Sequence, residues 1–142
     1  MQPGSSRIKV LFLCTGNSAR SQMAEGLARH LKGDVIEPYS AGTETHGLNP
    51  LAVEVMKEAG VDISYQKSKL VTELLDIPFD YVITVCSNAE KNCPIFPGKA
   101  KIIHFGFDDP AKARGSREEK MAVFRQVRDE IKAFIESLPD AL

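Results

Sequence analysis

The sequence predicts an α/β fold built on a four-stranded parallel sheet, and three observations carry that prediction. Apolar runs alternate with helix-periodic stretches along the chain, the order that repeated strand–helix–strand units impose. The first run, IKVLFL at 8–13, is the kind of strand that is buried on both faces. The last segment is a long amphipathic helix of the kind that closes such a sheet.

The elements follow in order. Residues 8–13 form the first strand. SQMAEGLARHLKG, 21–33, is a helix with Met23, Leu27 and Leu31 on one face and Gly33 as its stop. DVIEPYSAG, 34–42, is a second strand, and Pro38, which has no amide hydrogen to donate, puts it at an edge or a bulge. Pro50 opens a helix over PLAVEVMKEAG and Gly60 closes it. A shorter helix is expected over KSKLVTELLD, 67–76, with Ser68 as its cap. FDYVITVC, 79–86, is the third strand and ends at Cys86, and AKIIHF, 100–105, is a short fourth. Ser116 and Glu119 form a capping box at the start of the last helix, where Phe124, Val127, Ile131, Phe134 and Leu138 recur every three or four residues.

At 142 residues the chain is long enough for one domain with a real core. No repeat, linker or low-complexity block divides it, so we expect a loose tail at 1–6 and a single domain over 7–142. A net charge of −1, with 26% charged residues, argues against nucleic acid or a membrane surface as partner. No apolar run approaches the ~18–20 residues of a membrane span, and the first residues lack the apolar core of a signal peptide. Three cysteines, Cys14, Cys86 and Cys93, suit a reducing cytoplasm better than a disulfide framework. Without a Cys-x2-Cys pair, and with scattered histidines, no metal site is expected.

Right-handed crossovers and the rule that ligands sit at the carboxyl ends of the strands then gather three features on one sheet edge. These are Cys14, Cys86 and the Asp108–Asp109 loop, each of which follows a strand. In CTGNSARS, Cys14 to Ser21, Gly16 and the small residues around it let the backbone come close to a ligand. Successive amides of such a turn, here Thr15, Gly16, Asn17, Ser18, Ala19 and Arg20, form a nest for an anion at a helix start. Arg20 adds a planar fork of donors for two oxygens of a tetrahedral oxyanion. The same field lowers a thiol pKa from ~8.5 to roughly 3.5–7.5, so Cys14 is expected to be a thiolate placed to attack the bound anion.

These residues carry a resemblance. VLFLCTGNSARSQMAEG, together with YSAGT at 39–43, resembles the low-molecular-weight protein tyrosine phosphatases and the arsenate reductases that share their fold, from about residue 7 to the end. The resemblance implies a flavodoxin-like three-layer domain of the low-molecular-weight phosphatase type, with helices on both faces of the sheet. It implies Cys14 as nucleophile and Arg20 as oxyanion clamp, with Asn17, Ser21 and Ser40 bracing the loop. A thiolate that displaces an oxygen needs a proton donor for the leaving group. FDDPA offers Asp108 and Asp109; the family places its acid directly before the proline, which selects Asp109. Pro110 holds that residue extended.

Two features separate the two chemistries. Phosphatases of this type usually follow Asp-Pro with aromatic residues, whereas this chain has Ala111 and Lys112. Ester hydrolysis also has no use for two further thiols, which are useful when electrons must leave the enzyme. A second thiolate attacking the Cys14 sulfur of a thiolate–arsenate adduct would release arsenite and leave a disulfide for a third thiol to resolve. VCSNAEKNCPIFP and HFGFDDPA are similar to the thioredoxin-coupled arsenate reductases. That resemblance implies Cys86 as first resolving thiol, Cys93 as second, and thioredoxin as electron donor. If residues 87–93 are helical, the two thiols lie ~10 Å apart along the axis and the segment must unwind to join them.

Some of these reductases hold potassium beside the loop with Asn, Glu, Ser and Asp ligands. Asn17, Glu25 and Ser40 match, but Lys69 stands where the acidic ligand would be, near Lys67, so no potassium requirement and no cofactor are expected. The sum of these expectations is a cytoplasmic, monomeric arsenate reductase with residual phosphatase activity; the alternative is a low-molecular-weight protein tyrosine phosphatase that hydrolyses phosphate monoesters.

Overall fold

A computed structural model of the chain describes residues 7–86 and 99–142. Cys93 and the rest of 87–98, with their expected helix and its unwinding, lie outside the described residues, as does the tail at 1–6.

The elements run β1 (Ile8–Cys14), α1 (Arg20–Lys32), β2 (Ile36–Gly42), α2 (Pro50–Glu58), β3 (Tyr81–Thr84), β4 (Lys101–His104) and α3 (Arg117–Glu136). The four strands form one sheet in the order β2-β1-β3-β4, and every pairing is parallel. Chain order reverses between β1 and β3, so the switch point of the sheet lies at their carboxyl ends. β2 is an edge strand, which accommodates Pro38 opposite Val10 without breaking a ladder on both sides.

β1 is covered on both faces, as its unbroken apolar run requires. Val10 and Phe12 point to a core shared with Met23, Ala24 and Leu27 of α1, Val55 and Met56 of α2, and Phe124, Val127, Ile131 and Phe134 of α3. Leu11 and Leu13 point the other way, to Ala41, Phe79 and Val82. Among the described residues that second face is covered by the short 3₁₀ helix Val71–Leu74 and the chain after it, not by a full α-helix. The helix expected over 67–76 is thus reduced to one turn. Ser68 does not cap it; its hydroxyl donates instead to the Gly16 carbonyl at 3.0 Å. β3 ends at Thr84, two residues short of the expected Cys86, although the Val85 amide still donates to Leu13 O at 3.0 Å.

The helix ends follow their sequence signals. Asn49 Oδ1 accepts from the Leu51 amide at the start of α2, and Ser116 and Glu119 form the reciprocal box at the start of α3. α1 begins at Ala19 with no side-chain cap. Its first amides are therefore not satisfied by a capping side chain, the condition under which a helix start can receive an anion. Among the described residues no helix is long and apolar enough to cross a membrane.

Candidate active site

The stretch from Thr15 to Ala19 turns from the end of β1 into α1, and its carbonyls are taken up one by one, three by a later segment and two by α1 itself. Thr15 O accepts from the Glu44 amide at 2.9 Å, Gly16 O from the His46 amide at 3.0 Å and from Ser68 Oγ, and Ser18 O from the Asn49 amide at 3.0 Å. Asn17 O accepts from Gln22 Nε2 at 3.1 Å, and Ala19 O from the Met23 amide at 2.8 Å. A trans peptide points its N–H opposite to the preceding C=O. Holding five carbonyls outward therefore turns the amides of Gly16, Asn17, Ser18, Ala19 and Arg20 toward the inner side of the turn. Three of these partners, the Glu44, His46 and Asn49 amides, come from a wrapping segment, 42–49, that sequence reasoning did not assign.

The turn requires unusual backbone and close packing. Asn17 has φ 47, a left-handed conformation that Asn tolerates better than most residues. Gly42 lies beside Cys14 in the β1–β2 register, and a Cβ there would stand 2.4 Å from Thr15 O and 2.9 Å from the Asn17 nitrogen. At Gly16 a Cβ would meet the His46 ring, 2.4 Å from Nδ1.

Cys14 is buried at the last position of β1, and Cys86 is buried two residues past β3. The pairing Leu13↔Thr84 brings both thiols to the same edge of neighbouring strands, which in a sheet run ~4.8 Å apart. Both belong to one apolar cluster with Val85 and Phe107.

Arg20 is 5% exposed and joins the turn to the loop that carries Asp109. Its Nη1 donates to Phe107 O at 3.1 Å, and its Nη2 lies 3.6 Å from Asp109 Oδ2. Asp109 is extended, φ −80 and ψ 106, as a residue before proline should be. Its Oδ1 accepts from the Ala111 amide at 3.0 Å, so one carboxyl oxygen is tied to the backbone while the other faces the guanidinium. The Asp109 carboxyl is thereby fixed relative to the Arg20 guanidinium, 89 residues away in sequence. Asp108 is the exposed member of the pair.

Asn17, Ser21 and Ser40, expected to brace the turn, lie in two groups. Asn17 Nδ2 donates to Ser21 Oγ at 2.8 Å, both fully buried. Ser40 Oγ donates at 2.5 Å to Glu25 Oε1, not to the turn itself. Glu25 is 6% exposed; it also receives Arg29 Nη2 at 2.5 Å and faces Lys69 Nζ at 3.7 Å. Two cations thus stand around a buried carboxylate, and the Asn17 Oδ1 that would complete a potassium site accepts from the Lys69 amide at 2.8 Å. These residues do not fit a resident potassium ion, because the Lys69 ammonium occupies the charge-balancing place.

Gln22, which touches Asn17, and Gln66, which touches Gln22, are buried polar residues that sequence reading did not single out. The available signal was a polar residue, Gln22, beside Met23 on a helix whose first nine residues are all buried.

The sequence and fold are similar to those of known proteins. Residues 9–142 match the family model of low molecular weight phosphotyrosine protein phosphatase. An arsenate reductase of Shouchella clausii is 53% identical over 131 residues, 92% of this chain and 94% of that protein. The solved structure of an arsenate reductase in the reduced state superposes with TM-score 0.76 at 34% identity, over 94% of this chain and 98% of that one. A thioredoxin-dependent arsenate reductase of Corynebacterium glutamicum gives TM-score 0.68 at 27% identity, over 97% of this chain and 65% of that one.

Proposed function

The chain belongs to the low molecular weight phosphotyrosine protein phosphatase family and is, within it, an arsenate reductase; from that premise we propose how its residues share the work. Arsenate enters the turn at 15–20 as a tetrahedral dianion, held by inward amides and by the Arg20 fork. The Cys14 thiolate attacks arsenic, and Asp109 donates a proton to the oxygen that leaves as water. Entry of the oxyanion draws the guanidinium away from Asp109 Oδ2 and leaves that oxygen beside the substrate.

Cys86 then attacks the Cys14 sulfur. The sulfur–arsenic pair of electrons stays on arsenic, which goes from As(V) to As(III) and departs as arsenite, and a Cys14–Cys86 disulfide forms. Cys93 attacks Cys86, which frees Cys14 and leaves a Cys86–Cys93 disulfide for thioredoxin to reduce. The reading takes the protein as a cytoplasmic monomer with no cofactor.

One observation supports this reading most: a second buried thiol, Cys86, shares the sheet edge and apolar cluster of the thiol in the anion turn. A phosphomonoesterase has no step for it. Its substrate wall is also missing, since Ala111 and Lys112 follow Pro110 in the 3₁₀ turn. Ester hydrolysis is therefore expected only as a residue of the shared first step.

The test couples the protein to thioredoxin, thioredoxin reductase and NADPH and follows arsenate-dependent NADPH oxidation. Cys93→Ser should stop after one turnover with a Cys14–Cys86 disulfide visible by mass spectrometry. A Cys93→Ser protein that turns over freely would refute the relay order, and efficient cleavage of a phosphotyrosine analogue without arsenate turnover would refute the function.

A further inference from the structure

A line of buried amides runs from the surface to the base of the turn, and its direction is set by chemistry. Arg29 can only donate, so at Arg29 Nη1···Gln66 Oε1, 3.0 Å, the oxygen of Gln66 faces the guanidinium. That leaves Gln66 Nε2 to donate to Gln22 Oε1 at 2.8 Å and to Gln22 O at 3.1 Å. Gln22 Nε2 must then donate onward. It reaches Asn17 Oδ1 at 3.0 Å, Asn17 O at 3.1 Å and Lys67 O at 2.9 Å. Asn17 Nδ2 in turn donates to Ser21 Oγ. Four consecutive amide and guanidinium donors point the same way, and the two glutamines are 0% and 7% exposed.

The end of this line grips both oxygens of the one non-glycine residue described with positive φ. A left-handed residue other than glycine stays in place only when its surroundings over-determine it. With the Asn17 carbonyl held outward by Gln22, planarity sends the Ser18 amide inward. None of the other four carbonyls of the turn depends on a side chain alone, since each accepts from a backbone amide. The Asn17–Ser18 peptide is the weak point, and the glutamine pair is what secures it.

We propose that Gln22 and Gln66 are positioning residues for oxyanion binding, which hold the Asn17–Ser18 peptide so that the Ser18 amide faces the bound anion. This rests on the reading of the turn as the oxyanion cradle. Gln22 acts directly on the peptide; Gln66 acts only through Gln22, by fixing which way its amide points.

The probe is inorganic phosphate, with its dissociation constant read from protection of Cys14 against iodoacetamide, beside kcat and KM for arsenate. Methionine keeps the length of glutamine without its donors. Loss of one amide donor to an anion predicts about 10- to 100-fold weaker phosphate binding in Gln22→Met, with the change in KM larger than that in kcat. Gln66→Met should lose at least threefold, and the double variant should be no worse than Gln22→Met, because the line is already cut. A merely structural role would lower Tm and leave the phosphate constant of the folded variant alone. The proposal is overturned if Gln22→Met binds phosphate within threefold of wild type, or if the two losses multiply in the double variant. Should Gln22→Met not fold, Gln66→Met decides by the same threefold limit. Failure of the cradle reading itself looks different: phosphate would then protect Cys14 in no protein, wild type included.

Discussion

Gly42→Ala tests whether the turn is shaped from outside. The new Cβ would lie 2.4 Å from Thr15 O and 2.9 Å from both the Asn17 nitrogen and Glu44 O. All three are backbone atoms, so no side chain can swing away to make room. Thr15 O must retreat by about 0.6 Å merely to reach 3.0 Å, below which real Cβ contacts essentially do not occur. It is itself tied to the Glu44 amide, so the shift passes into the neighbouring amides of the turn, those we propose to hold the oxyanion. Overpacking of this kind costs about 1–3 kcal/mol, which for a domain of this size lowers Tm by roughly 3–12 °C. Misplacement of reacting groups by ~1 Å costs ~100-fold in rate, so kcat/KM for arsenate should fall roughly 10- to 100-fold. The control is Gly60→Ala. Gly60 has φ +82 with nothing within 4 Å of its Cβ position, so alanine costs about 1–2 kcal/mol of left-handed strain and leaves kcat/KM unchanged. The reasoning is refuted if Gly42→Ala keeps kcat/KM within twofold of wild type, or if Gly60→Ala loses as much.

Asp109→Asn keeps the shape of the acid but not its proton, and kcat at saturating arsenate should fall by roughly 10²–10⁴. Steady-state kinetics with sodium replaced by potassium should show no rise in kcat/KM, because Lys69 Nζ already stands 3.7 Å from Glu25 Oε1; a clear rise would contradict this. Burial and a hydrogen bond donated to Glu37 push the Tyr39 hydroxyl up to about 12, above the ~10 of an unfolded chain. The neutral phenol therefore contributes stability that is present below pH ~10 and lost as pH rises toward 12. Melting curves across that window should fall more steeply for wild type than for Tyr39→Phe.

Much of this molecule is written locally. IKVLFL, the Pro50 and Gly60 pair, and the Ser116–Glu119 box each specify their element through side-chain periodicity or a cap within a few residues. The anion turn is legible for the same reason, since strand, small residues, arginine and helix are contiguous. The helix expected over 67–76 failed because Ser68 found a better acceptor, Gly16 O, 52 residues away. That bond exists only once β1 and the segment after α2 have come together.

The sequence by itself determined the parallel α/β class and placed a thiol, small residues and an arginine in one strand-to-helix turn and an aspartate before Pro110. These depend on residue type and short spacing. Tertiary structure alone decided what surrounds the turn: the backbone of 42–49 on its carbonyls, Gln22 on Asn17 with Gln66 behind it, and Lys69 beside Glu25. The physical reason is that a peptide amide can be aimed only by fixing the carbonyl opposite to it. Among the groups that do so here, the Glu44, His46 and Asn49 amides come from a later part of the chain and have no motif of their own.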